Sequence, residues 1–226
     1  DEKKTTVMDG HGGYMNGSRY YGEDLPINTW YMKRFAGLSE DGLSLWYYTD
    51  KETNEEKTTT TYSTGDFYLC GDPNPDLYGG FGTSITFHGF DLSTQFSYLV
   101  GGLTYDYGYA GMMGNPTATS VGNRWHKDVL KAWSPENPSS TIPRWHFNDL
   151  NTTGSSDRFL IDGSYLNLQN IQVGYTLPDS WTSHLKIKNL RLYFVCDNVY
   201  YWSKRKGLDP RRSISGVGTS GKIAPF

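Results

Sequence analysis

Two neighbouring stretches constrain the fold more than any other feature of the sequence. Residues 80–88, GFGTSITFH, alternate strictly. Phe81, Ile85 and Phe87 fall on one side, with Gly80, Gly82, Ser84, Thr86 and His88 on the other. After a tight connection at Gly89-Phe90 the pattern resumes over residues 91–106. There Phe90, Leu92, Phe96, Tyr98 and Val100 oppose Asp91, Ser93, Gln95 and Ser97. Successive side chains of an extended chain point to opposite sides, so period two means strands with one apolar and one polar face. The second stretch is longer than an average soluble strand. Such a hairpin belongs to a soluble sandwich, whose polar face meets water, or to a membrane barrel, whose apolar face meets lipid and whose polar face lines the lumen.

The rest of the chain is of the same kind. Aromatic residues make up 15% of it, and 26 glycines punctuate short aromatic runs, which argues for an all-β chain and against a helical bundle or a doubly wound sheet. Further strands are expected over residues 27–36, 43–49, 66–70, 163–176 and 189–202. In residues 163–176, Leu166 and Leu168 change phase to Ile171, Val173 and Tyr175, so a bulge is expected near Gln169-Asn170. The polar run at residues 50–64 reads as an exposed loop, and KDVLKAW at residues 127–133 is the best helical candidate, ended by Ser134-Pro135. Residues 107–160 form a long segment without clear elements, which fits an outer loop of a membrane barrel better than a compact soluble domain. Tyr105, Tyr107 and Tyr109, then Tyr200, Tyr201 and Trp202, crowd strand ends as an interfacial girdle would; a tyrosine-rich β surface is the plainer alternative.

Several classes drop out. No apolar run approaches the roughly 18 residues of a transmembrane helix, which leaves a β-barrel open. With 21 basic against 24 acidic residues the chain has no electrostatic drive toward nucleic acid. His11, His88, His126, His146 and His184 have no metal-ligand spacing, and no nucleophile elbow, phosphate loop or dinucleotide fingerprint occurs. Neither an enzyme, a metal nor a cofactor is expected. Asp72-Pro73-Asn74-Pro75-Asp76 reads as a proline-stiffened turn rather than a calcium loop, because position 83 is Thr where a bidentate Glu belongs. Cys70 and Cys196 lie far apart in sequence and read as two unrelated thiols, with one disulfide as the alternative. About seven strands are expected, fewer than the eight or so of the smallest membrane barrels, so a barrel-forming chain of this length is only an arc.

Specific stretches carry a family resemblance. AGLSEDGLSLWY (residues 36–47), DPNPDLYGGFGTSITFHGFDLSTQFSYLVGGLTYD (72–106), WSPENPSSTIPR (133–144), SDRFLIDGSYLNLQNIQVGYTLP (156–178), residues 189–202 and KGLDP (206–210) occur together and in order. The chain resembles the C-terminal portion of SusC/RagA-type TonB-dependent outer-membrane transporters. The resemblance implies an arc of a large antiparallel barrel of about 22 strands, filled by an N-terminal plug. It implies one partial domain over residues 1–226, with the plug, the TonB box and the final strand absent; residues 222–226, KIAPF, read as a chain stopping inside a loop. It further implies TonB-driven uptake of oligosaccharides, or of peptides, across the outer membrane of a Bacteroidota-like Gram-negative cell. The implied partners are a SusD-like surface lipoprotein and the TonB complex. Gly89-Phe90-Asp91 and residues 177–188 become periplasmic turns, and residues 107–160 and 203–226 become outer loops. In those loops Trp125, Trp133, Trp145, Tyr107 and Tyr109 are candidates to meet substrate or partner. Arg124-Trp125-His126 and Arg144-Trp145-His146 share a triplet, too short to be a structural repeat. Lys204, Arg205, Lys206, Arg211 and Arg212 are candidates for lipopolysaccharide phosphates, a solvated loop being the alternative. The second reading of the whole is a soluble β-sandwich module that binds carbohydrate through exposed tryptophans.

Overall fold

A computed structural model describes residues 6–8, 11–117, 124–152 and 154–204. In chain order the strands are β1 (Thr6–Met8), β2 (His11–Asn16), β3 (Arg19–Gly22), β4 (Thr29–Lys33), β5 (Phe35–Leu38), β6 (Ser44–Thr49), β7 (Glu56–Thr59) and β8 (Phe67–Leu69). They continue with β9 (Leu77–Phe87), β10 (Phe90–Val100), β11 (Leu103–Tyr105), β12 (Leu160–Asp162), β13 (Tyr165–Thr176) and β14 (Arg191–Ser203). Two short helices, α1 (Tyr107–Met112) and α2 (Asp179–Thr182), accompany them. The described residues separate into two compact units, one of residues up to 74 with those of 103–161, the other of residues 75–102 with 162–204.

The second unit is one antiparallel sheet in the order β14-β13-β10-β9. Its strands run to 11, 11, 12 and 13 residues, the length that crosses a bilayer when tilted. β9 and β10 are joined by His88 and Gly89, both with positive φ (46° and 85°), the geometry of a type I′ hairpin turn. Phe87 pairs with Phe90 across that turn, and Phe90 pairs with Tyr175. A register shift at Leu168/Asn170 marks a bulge at Gln169, which returns Ile171 and Val173 to the face of Leu166 and Leu168. The bulge therefore lies where the phase change in the sequence placed it.

The first unit is built from shorter pieces around an aromatic core. A five-stranded sheet runs β1-β2-β3-β4-β8, a three-stranded one β5-β6-β7, and β11 pairs β12. Trp30, Met32, Tyr105, Met113 and Phe159 are buried together, with Cys70, Leu103, Tyr109, Val129 and Ile142 packed against them. The Trp30 indole donates to the Leu103 carbonyl at 2.9 Å, and the Arg19 guanidinium lies 3.0 Å above its ring. Buried Lys33 donates its ammonium to the carbonyls of Tyr62 (2.5 Å), Ser63 (3.2 Å) and Gly65 (2.7 Å), pinning the turn at Tyr62–Thr64.

Several expectations are corrected. Residues 27–36 are not one strand: β4 and β5 enter different sheets. Residues 50–64 are not all loop, because Glu56 and Lys57 with the first two threonines of the run, whose β-branching favours extended backbone, form β7 against β6. Residues 91–106 are interrupted at Gly101 and Gly102, whose φ values of 82° and 74° break the ladder. Residues 127–131 form a 3-10 turn rather than a helix. The α-turn of residues 107–160 is α1 instead, whose first turn is capped by the Asp106 carboxylate accepting from Tyr109 N–H at 2.9 Å.

Candidate functional site

The register of the four-stranded sheet sorts its side chains row by row. One face carries Phe87, Phe90, Tyr175 and Leu192, then Ile85, Leu92, Val173 and Phe194, then Phe81, Phe96, Leu168 and Tyr200, ending near Trp202. The large apolar groups on it are not covered: Ile85 is 57% exposed and Phe194 68%. Phe81, Ile85, Phe87, Phe90, Leu192, Phe194 and Tyr200 are each more than half exposed, and with Val173 and Trp202, nearly half exposed, they leave on the order of 1,000 Å² of apolar surface, well above the few hundred Å² usual on a soluble monomer. The opposite face carries Thr86, Asp91, Gly174 and Tyr193, then Ser84, Ser93, Gln172 and Val195, then Gly82, Gln95, Asn170 and Asp197. Polar groups there find one another. Asn170 donates to Asp197 at 2.6 Å. Arg191 reaches across β13 to hold Asp91 with two hydrogen bonds, at 3.0 and 2.5 Å. Gly174 lies directly beneath that bridge, and a Cβ there would sit 2.5 Å from the Asp91 carboxylate. Asp91 and Arg191 are 100 positions apart, so no local pattern in the sequence could pair them; only the register does.

In the other unit the predicted contact residues divide. Trp125 and Trp145 meet edge to face, with ring centroids 5.5 Å apart at 84°. The Trp125 indole donates to the Gly114 carbonyl at 3.2 Å, and both rings remain partly open to solvent. Asn115 helps draw the two triplets together, since its side-chain oxygen accepts from His146 N–H while its amide donates to Thr152 and to the Asp149 carbonyl. The shared RWH triplet therefore marks two partners of one aromatic contact. Tyr107 is exposed and lies tilted against Tyr105, with ring centroids 4.6 Å apart at 56°. Tyr109 turns inward, donating to Asp128 at 3.1 Å and meeting Phe159 edge-on. Trp133 is half-buried against Gly42. Lys204 pairs with Asp162 at 3.0 Å; Arg205, Lys206, Arg211 and Arg212 lie outside the described residues, as does KGLDP. Burial pushes the Tyr105 phenol up to about 12 and the Arg158 guanidinium down to about 10, with Arg158 stacked near Phe35 and Phe159. Cys70 and Cys196 are free thiols, and burial pushes that of Cys70 up to about 11. Asp72 accepts from Asn74 N–H at 2.8 Å, an Asx turn within the proline-rich segment. No cluster of metal-ligating side chains occurs among the described residues.

An uncovered apolar face backed by a polar one, on antiparallel strands of bilayer length, is the wall of a transmembrane β-barrel. Comparison with known proteins points the same way. The chain is 31% identical over 198 residues to TonB-dependent receptor P3 of Formosa agariphila, covering 88% of this chain and 18% of that protein. It is 26% identical over 155 residues to TonB-dependent receptor SusC of Bacteroides thetaiotaomicron, covering 66% of this chain and 14% of the receptor. Among solved structures, the RagAB peptide transporter matches with a TM-score of 0.70 at 26% identity over 86% of this chain and 21% of that one. The RagAB peptide importer in its open-open state matches at 0.69 and 25% identity over 91% of this chain. No protein-family model matches. The chain is homologous to TonB-dependent receptors, SusC among them, and is an all-β arc of such a large barrel, spanning about a fifth of the length of the relatives it matches.

Proposed function

We propose that the protein imports nutrients across the outer membrane of a Bacteroidota-like Gram-negative cell, driven through TonB. In this reading the chain is the C-terminal part of the barrel, one partial domain whose plug and TonB box are supplied by other parts of the receptor. The single observation that carries the reading is the sheet with its apolar face bare and its polar face internally hydrogen-bonded. The four strands are wall, and their polar rows line the lumen. The cargo is an oligosaccharide or a peptide; the RagAB structures are of a peptide transporter, and the SusC likeness supports the same kind of receptor. A SusD-like surface lipoprotein closes over the outer end. The exposed pair Trp125 and Trp145, with Tyr107, supplies flat faces on which a sugar ring or a partner side chain can stack. Trp133 rests on Gly42, and Tyr109 meets His126, the neighbour of Trp125, edge to face. Lys204 and the basic residues after it, Arg205, Lys206, Arg211 and Arg212, meet lipopolysaccharide phosphates. The residues transport rather than transform: no bond is made or broken by them. A soluble carbohydrate-binding sandwich would bury the apolar face that is open here.

Extraction of the native protein from cell envelopes tests the reading. A polypeptide several times longer than this chain, released only by detergent together with a surface lipoprotein, is the expected result. A water-soluble species of about this chain's mass contradicts it.

A further inference from the structure

The connection between β13 and β14 is longer than chain reversal requires. The β9–β10 hairpin at the same end of the sheet turns with two residues, whereas residues 177–190 fold into α2 and a 3-10 turn at Ser183–Leu185. Leu177 N–H closes the loop on the Leu190 carbonyl at 2.9 Å, and Ile187 N–H returns to the Thr182 carbonyl at 3.2 Å. The loop encloses an open cavity of about 560 Å³ lined by Asp179, Thr182, Ser183, Lys186, Ile187 and Lys188. Asp179 is the one carboxylate on that lining, against two ammonium groups, and neither lysine makes an ion pair among the described residues. The nearby Arg191 is already engaged by Asp91. Trp181, 65% exposed, and Ile187 are presented outward on the same loop. Directly before it on the sheet comes the bare apolar row Phe87, Phe90, Tyr175 and Leu192.

We propose that residues 177–190 form a headgroup site for an anionic phospholipid of the leaflet at the short-turn end, with Lys186 and Lys188 on its phosphate. The inference rests on the reading of the sheet as a lipid-facing wall. An indole at the end of an apolar strand face sits at headgroup depth, where ring and N–H meet apolar and wet surroundings together. Ammonium groups at that depth attract anionic lipid, and two of them with a pocket between give the phosphate a fixed place. The acyl chains then continue along the row from Phe90 to Leu192. The charge of the lining selects the occupant: a zwitterionic lipid brings its own cation toward the two lysines and loses the advantage.

The test uses the full-length receptor in mild detergent, stripped of lipid and mixed with phosphatidylglycerol or phosphatidylcholine, with retained lipid counted by native mass spectrometry. Phosphatidylglycerol is expected to outlast phosphatidylcholine. The double substitution Lys186→Gln/Lys188→Gln is expected to lower its retention about thirtyfold, because each lysine near an anionic surface contributes about fivefold. Lys51→Gln, on an exposed turn of the other unit, leaves retention unchanged. Retained heat-modifiable gel mobility shows that each variant is a folded barrel. Equal retention of the two lipids by a folded wild-type barrel, or an unaffected double variant, overturns the lipid site alone. Displacement of phosphatidylglycerol by inorganic phosphate at equal concentration also overturns it, in favour of a free-anion site. A wild-type receptor that needs no detergent overturns the wall reading, and the lipid site with it.

Discussion

The two units of this chain use the same residue types in opposite ways. In the unit of short strands, Trp30, Tyr105 and Phe159 are buried against one another, and Trp30 is only 2% exposed. In the four-stranded sheet, Phe87, Phe90, Phe194 and Trp202 stand uncovered, while Asn167, a polar residue, is buried and Asp91 and Arg191 pair on the polar face. Water dictates the first arrangement, since burying an aromatic ring there removes apolar surface from solvent. Lipid dictates the second, because hydrocarbon outside and water inside invert the usual sorting. Burial alone is thus a poor guide to the core of such a chain; which solvent each face meets decides what an exposed ring means.

Substitutions that break the comparison should differ most where the solvents differ. Trp30→Ala removes a buried ring, its hydrogen bond and the partner of Arg19. It is expected to destabilise the short-strand unit by about 3–5 kcal/mol. Limited proteolysis of the full receptor should then cut within residues 103–161 while heat-modifiable mobility of the barrel persists. Loss of the barrel itself would show that the two units are not separately stable.

Ile85 and Ile27 sharpen the contrast, because both are exposed but only the first faces lipid. Ile85→Lys is expected to cost about 2–4 kcal/mol near mid-bilayer. Ile27→Lys should change stability by less than about 0.5 kcal/mol. Unfolding of the receptor from lipid vesicles in urea measures both, and equal effects would contradict the assignment. Lys33→Ala strips three carbonyls of their shared donor and is expected to loosen the Tyr62–Thr64 turn at a cost of about 1–3 kcal/mol. Protease sensitivity confined to that turn is the signature.

The smallest effect concerns Cys70, whose thiol ionises near about 11 in the folded unit against 9.0 ordinarily, chiefly because burial disfavours the thiolate. Its labelling by a water-soluble maleimide should be slow at pH 7 and rise about tenfold per pH unit up to pH 10. The linkage has a definite sign. Between 9.0 and about 11 the unfolded thiol gives up its proton while the folded one keeps it, so stability falls as pH climbs through that window. Fast labelling at pH 7 in the folded receptor would show that the thiol is not buried.

Much of the sheet was legible because period two survives in it. The faces of residues 80–100, the bulge at Gln169 and the strand at Leu192 and Phe194 follow from alternation alone. The short-strand unit was not legible in the same way. Its strands run three to six residues, too short for alternation to register, and its core is assembled from Trp30, Met113 and Phe159, which no local pattern connects. The hidden strand at residues 56–59 shows the limit: polarity signalled a loop, while β-branching and the turn around Asp50 and Asn54 decided for a hairpin. Of the aromatic candidates, sequence could name Trp125 and Trp145 but not their contact, which depends on Asn115 reaching residues more than thirty positions away.

The lipid-facing wall is tested most directly by single nitroxide labels placed in turn along residues 191–203 of the full receptor in lipid nanodiscs. Collision rates with oxygen, which favours hydrocarbon, are expected to peak at positions 192, 194 and 196, then at 200 and 202 beyond the bulge. Positions 191, 193, 195 and 201 should favour a water-soluble relaxer instead. Equal access of that relaxer to both sets would contradict a barrel wall at this sheet.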